Sequence, residues 1–195
     1  MYSIINMMKN AFIFVFMNLI SFYFNQAHAD KMCKNNECDI PVTFTGKYLE
    51  ETCEIDINGK GNDETVVLPV LSVSSLSSNG SEAGSRPFAI TLKHCPHDQT
   101  IALFFKSGLS STDNATGNLI NSVGSNYAKN VQVRLRKEDG SLINVDTLST
   151  MQRYNIPASG EDVRHNYMAS YYAKGDQAVT AGEVQAQAAI DLVYE

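Results

Sequence analysis

Along most of this chain apolar and polar residues alternate with a period of two, and beyond residue 30 no helical i, i+3, i+4, i+7 spacing persists for three turns. Successive side chains of a strand point to opposite faces, so this period predicts strands that each bury one face. The expected strands are 40–48, 53–57, 65–68, 88–94, 100–106, 130–136, 141–144, 166–173 and 183–194. Asn58-Gly59, Asn79-Gly80 and Asp139-Gly140 punctuate them with residues suited to tight turns. Lys137 to Ser141, between two alternating runs, predicts a hairpin, and the polar stretches 72–85 and 107–125 predict long surface loops. Short strands at this spacing predict an all-β sandwich with Greek-key connections.

The closing segment carries the most regular pattern. Val184, Ala186, Ala188, Ile190, Leu192 and Tyr194 form one apolar face, against Glu183, Gln185, Gln187, Ala189, Asp191, Val193 and Glu195 on the other. Such a strand is expected to lie half buried, and as the last predicted strand it offers a long edge that no Pro blunts. Near the other end, Ile40, Val42, Phe44, Gly46 and Tyr48 alternate with Pro41, Thr43, Thr45 and Lys47, giving a second half-apolar strand. Gly46 in that apolar row marks either a bulge or a place where another group comes close.

The N-terminus changes which residues count. Lys9 is the only charge in the first 29 residues, the run 11–24 is apolar but for Asn18 and Ser21, and Ala27 and Ala29 stand at −3 and −1 of a cleavage site before Asp30. The run falls short of the about 20 apolar residues of a membrane span, so a cleaved signal peptide over 1–29 is expected. Its removal from the 195 residues leaves 166 and takes the formal charge from −6 to −7. A net negative chain with no basic cluster lacks the footprint of a nucleic-acid or anionic-membrane binder.

Export places the four cysteines in an oxidising compartment, where pairing is the default. Cys33 and Cys38 lie close together in a polar stretch, whereas Cys53 and Cys95 each sit inside an alternating segment, so Cys53 is expected to pair with Cys95. Closing that loop stabilises the fold by roughly 4 kcal/mol on the chain-entropy model. Cys33 and Cys38 either close a small local ring or link separate subunits.

Taken together, these features resemble the pilin subunits of bacterial chaperone-usher fimbriae of the type 1 and P-pilus class. The resemblance rests on Val42-Thr43-Phe44-Thr45-Gly46 with Cys53 seven residues after the glycine, on Phe88 to Cys95, and on Asn130 to Leu135 leading into Asp139-Gly140. Its most specific part is Tyr171-Tyr172-Ala173, then Gly182, then the alternating strand to Tyr194. It implies an incomplete immunoglobulin-like sandwich lacking its final strand, with residues 30–48 as an N-terminal extension and 49–195 as the pilin domain. By that resemblance Ile40, Val42, Phe44, Gly46 and Tyr48 would be a donor strand. Val184, Ala186, Ala188, Ile190, Leu192 and Tyr194, with Gly182 at one end, would line the acceptor groove, and the Glu195 carboxylate would anchor a chaperone. The implied partners are a periplasmic pilus chaperone, an outer-membrane usher and other fimbrial subunits in a head-to-tail polymer, together with host surface receptors. Donation between two different surfaces is heterologous and builds an open filament. The implied location is the bacterial surface, reached through the periplasm. The alternative is a minor tip or adaptor subunit that binds a glycan or host receptor directly; 166 residues leave no room for a separate lectin domain. The pair Cys33 and Cys38 departs from the family pattern.

Sharper chemistry finds little support. His94-Cys95-Pro96-His97 could suggest zinc, but a metal site needs thiolates that export tends to oxidise. His94, His97 and His165 stand in no pattern with a nucleophile, and no Gly-x-Ser-x-Gly elbow occurs. No catalysis, metal or cofactor is expected. Tyr167, Tyr171 and Tyr172 are expected in core and rim packing.

Overall fold

The computed structural model describes residues 52–195, positions 45 and 46, and two short strands, β1 (Cys33–Lys34) and β2 (Glu37–Cys38). The expected signal peptide and most of the expected donor segment, including Ile40, Val42, Phe44 and Tyr48, lie outside the described residues. The chain divides into two units, Met1–Tyr48 and Leu49–Glu195. In the first, β1 and β2 pair antiparallel with Cys33 opposite Cys38 and Lys34 opposite Glu37, leaving two residues between them. Thr45 and Gly46 are exposed, and a Cβ on Gly46 would meet nothing within 4 Å.

The second unit is built from β3 (Glu54–Ile57), β4 (Glu82–Lys93), β5 (Gln99–Ser107), β6 (Leu119–Ile120), β7 (Val131–Lys137), β8 (Leu142–Ile143), β9 (Gln152–Ile156), β10 (Val163–Ala173) and β11 (Ala188–Tyr194). One sheet runs β3-β4-β10-β7-β6 with β8 also on β7, and the other runs β11-β5-β9; every pairing is antiparallel. The alternation sends Phe88, Ile90 and Leu92 of β4, Leu135 of β7 and Tyr167 and Ala169 of β10 inward. They meet Ile101, Leu103 and Phe105 of β5 and Tyr154 and Ile156 of β9 in one core. Tyr154 and Tyr167 are fully buried, so their hydroxyls need partners. Tyr154 donates to the Ile90 carbonyl at 3.2 Å, and the two hydroxyls meet at 2.8 Å. Phe88 stacks on Tyr167 with ring centroids 5.3 Å apart.

Cys53, just ahead of β3, is bonded to Cys95, just after β4, with Cα atoms 4.2 Å apart. The bond closes the end of the β3–β4 pair, where Glu54 stands opposite Lys93. The hairpin at 137–141 forms as its residues predict: Gly140 takes φ +82°, the Lys137 amide donates to the Ser141 carbonyl at 2.9 Å, and Asp139 Oδ1 accepts from the Ser141 amide at 2.8 Å.

Four expectations need correction. Segment 65–68 joins no ladder: Arg86 donates to the Val67 carbonyl at 3.1 Å and Tyr171 to the Pro69 carbonyl at 3.1 Å, so side chains serve this backbone in place of a strand. The expected loop 72–85 holds a 3₁₀ turn, Val73–Leu76, and the first residues of β4, which starts six residues before Phe88 because β10 continues beside it to Tyr172. The expected loop 107–125 contains β6. Strand β9 was not anticipated, because only Tyr154 and Ile156 mark its buried face.

The outer face of the larger sheet carries a polar network. Glu82 accepts from Arg136 Nε at 3.0 Å and Nη2 at 2.7 Å and from Ser170 Oγ at 2.7 Å, and the Arg134 guanidinium lies 3.6 Å over the Tyr172 ring. These donors, Arg136 foremost, hold the Glu82 carboxyl below the usual range against the opposing effect of burial.

Candidate strand-accepting edge

Among the described residues strand β11 pairs along one side only, with β5, in a register from Ala188 opposite Ser107 to Tyr194 opposite Ile101. The Glu195 amide donates to the Thr100 carbonyl at 3.0 Å, which makes 195 and 100 a hydrogen-bonded pair. Pairs alternate along an antiparallel ladder, so Val193, Asp191 and Ala189 also turn their N–H and C=O groups to β5. Tyr194, Leu192, Ile190 and Ala188 turn theirs away from it. Among the described residues no strand lies on that other side.

The parity continues beyond the ladder. The Gln187 amide donates to Ser110 Oγ at 2.9 Å and the Gln185 amide to Asn121 Oδ1 at 2.7 Å, while the Gln185 carbonyl accepts from the Ser122 amide and hydroxyl, both at 3.0 Å. Glu183 donates to the Asn126 carbonyl at 2.8 Å and accepts from the Ala128 amide at 2.9 Å, across a parallel bridge between Tyr127 and Glu183. So the expected strand 183–194 is a β5 ladder only from Ala188 onward, and its first five residues are held by the 110–128 region. Among the described residues, no hydrogen bond reaches the main chain of Val184 or Ala186. Gly182 sits where the backbones nearly touch: a Cβ there would stand 2.7 Å from the Tyr127 carbonyl carbon, closer than any side chain allows.

The same six residues that aim their backbone at the open side point their side chains inward, as strand geometry requires. Ala186, Ala188, Ile190, Leu192 and Tyr194 pack on the main core, and Val184 packs on a smaller cluster of Leu76, Ala128, Val131 and Ala173. All six remain half-buried, whereas the central strand β5 buries Ile101, Leu103 and Phe105. Ile55, Ile57, Val66 and Leu68 are likewise half-buried against that core. The Tyr194 hydroxyl accepts from the Cys53 amide at 2.9 Å, which ties the end of β11 to the disulfide. On the opposite face, Arg153 of β9 grips the Glu195 side chain with bonds of 3.1 and 3.2 Å, and Glu195 raises the guanidinium's hold on its proton.

The residues considered for sharper chemistry are spread out. His94 pairs with Glu54 at 3.2 Å, His97 bonds the Ala158 carbonyl at 3.0 Å, and His165 packs edge-on against Tyr154, where burial lowers its affinity for a proton. Tyr167 is core, Tyr171 binds the segment at Pro69, and Tyr172 carries Arg134. Sequence reading did not find Ser110, Asn121, Ser122 or Arg153. The first three sit in a polar stretch whose composition reads as loop, and only their contacts with the last strand single them out.

This geometry defines a class: an immunoglobulin-like sandwich whose last strand keeps one long apolar edge uncovered among the described residues. Comparison with known proteins then places the chain within it. The sequence model of the fimbrial protein family matches residues 42–195. The chain is 32% identical over 164 residues to the major fimbrial subunit SMF-1 of Stenotrophomonas maltophilia (strain K279a), covering 82% of this chain and 94% of that one. It is 34% identical over 164 residues to the F17 fimbrial protein of Escherichia coli, covering 80% and 88%. In fold it is similar to the P pilus rod subunit PapA, with a TM-score of 0.59 at 18% identity over 74% of this chain and all of that one. The chain belongs to the fimbrial protein family and is a structural subunit of an exported surface fimbrium.

Proposed function

We propose that this subunit polymerises by donor-strand exchange, with Ile40, Val42, Phe44, Gly46 and Tyr48 of one copy lying along the uncovered edge of another. One observation carries the reading: from Val184 to Tyr194, every residue whose side chain faces the core also turns its main-chain groups to the same side, where no strand lies among the described residues. A strand added there completes both the hydrogen-bond ladder and the apolar cover, which is the logic of β-augmentation. Covering apolar surface contributes about 25 cal/mol per Å², so a few hundred Å² contribute several kcal/mol. The same edge serves first a periplasmic chaperone strand, with Glu195 near its anchor, and then, at an outer-membrane usher, the extension of the next subunit. The chain acts in adhesion as a polymer and performs no catalysis. Cys33 and Cys38 close a local ring, a reading supported by their opposed positions in the β1–β2 hairpin; such a ring ahead of Ile40 limits how far the extension can lie flat.

The test is complementation. Residues 30–195 produced in the periplasm without a chaperone are expected to aggregate or be proteolysed, and a synthetic peptide spanning 39–49 is expected to restore a soluble species that unfolds cooperatively. A chain that is monomeric and thermostable with no partner overturns the proposal.

A further inference from the structure

We propose that Asn121 is a positioning residue that holds the first half of the accepting edge, Glu183 to Gln187, in register for the incoming strand. This rests on the donor-strand reading above and adds a residue that neither the family pattern nor the alternation marks. Strand β5 ends at Ser107, opposite Ala188, so the ladder that supports the rest of the edge stops there. Beyond it, a side-chain amide stands in for a neighbouring strand. Asn121 Oδ1 accepts from the Gln185 amide at 2.7 Å, and its Nδ2 donates to the carbonyls of Glu183 at 3.0 Å and Ala128 at 2.7 Å.

An Asn side chain presents one C=O and one NH₂, the groups of a peptide unit, and here it makes the bonds that one residue of a paired strand would make. It is 6% exposed and its bond to the Ala128 carbonyl is buried, so that carbonyl loses a partner when the side chain is removed. Ser110 and Ser122 flank it and hold Gln187 and Gln185 in the same way. These contacts all lie on the supported side of the strand, away from the side a donor would occupy. The β11–β5 ladder, the Cys53–Cys95 bond and the main core make no use of Asn121. Val184 belongs to the smaller cluster, which separates this half from the rest of the edge in packing as well. Loss of Asn121 therefore loosens one end of the accepting edge and leaves the other intact.

The experiment measures dissociation of a fluorescent peptide spanning 39–49 from residues 30–195, as wild type, Asn121→Ala and Asn121→Asp. The carboxylate of the second variant can accept from Gln185 but cannot donate to the two carbonyls. Both variants are expected to release the peptide about tenfold faster, the equivalent of about 1.4 kcal/mol. Repeating this with peptides shortened by four residues at one end or the other distinguishes positioning from general weakening. With one shortened peptide, the one that no longer reaches 183–187, wild type and variants are expected to release at the same rate; with the other the difference persists. Equal rates with the full peptide, or a difference undiminished with both shortened ones, overturn the proposal. Should the Asn121 variants fail to fold, the double variant Ser110→Ala, Ser122→Ala must show the same dependence on peptide end, and its absence overturns the proposal equally. A wild-type chain that holds no peptide refutes the donor-strand reading itself, which is a different failure.

Discussion

Ala188 and Ala189 are neighbours with identical side chains at the start of β11, yet their main-chain groups face opposite sides. Ala189 pairs with Lys106 across the β5 ladder, three two-residue steps from the bonded pair Glu195 and Thr100 and so of the same parity. Ala188, opposite Ser107, turns its N–H to the uncovered side. Proline removes a single N–H, so the pair isolates one hydrogen bond on each side. Ala189→Pro deletes a ladder bond and leaves a carbonyl of Lys106 without its donor, a loss of about 2–3 kcal/mol from the subunit itself. Ala188→Pro stands at the first residue of an edge strand, where proline is tolerated, and is expected to change the subunit's own stability by less than about 1 kcal/mol. It removes one bond from any strand laid along the edge, about 1 kcal/mol, and so weakens retention of a 39–49 peptide about fivefold. Urea titration of residues 30–195 without peptide measures the first quantity, and peptide dissociation measures the second. If Ala188→Pro destabilises the uncomplemented chain as much as Ala189→Pro, or leaves peptide retention unchanged, the assignment of the two sides is wrong.

Two further outcomes concern the sandwich. Tyr154 serves both the Ile90 carbonyl and Tyr167, whereas among the described residues the only hydroxyl partner of Tyr167 is Tyr154, so Tyr154→Phe is expected to cost about 1–3 kcal/mol and Tyr167→Phe about 1 kcal/mol; denaturant midpoints of the complemented chain check that order. Glu82 has a folded pKa depressed mainly by Arg136, so its contribution is present above the ordinary carboxylate pKa of 4.5 and is lost as pH falls through the lower folded value. Glu82→Gln should lower stability at neutral pH and flatten the acid limb of the stability profile below pH 4.5, and an unchanged limb would count against the network.

Much of the sandwich was legible because burial on one face imposes a period of two, and the segments at Ile90, Ile101, Leu135 and Tyr167 obey it. The Cys53–Cys95 pairing was legible for the same reason, since both cysteines sit in alternating segments. Segment 65–68 shows the same alternation without a ladder, because period two reports which face is buried and carries nothing about who bonds the backbone. β9 was missed for the converse reason: two inward residues, Tyr154 and Ile156, are too few to declare a period, and the strand exists because β5 offers it an edge.

What this sequence determines alone is local: which side chains turn inward, where turns with positive φ such as Gly140 fall, and that the run ending at Tyr194 is a strand with one apolar face. Those follow from sterics and the hydrophobic effect acting on near neighbours. Which side of that strand is supported was decided only by the tertiary structure. Ser107 ends β5 opposite Ala188, and Asn121, more than sixty positions from Glu183 in the chain, supplies the bonds that the ladder no longer can. Hydrogen-bond partners brought together across such separations depend on how the whole chain closes, and no pattern in either segment encodes them.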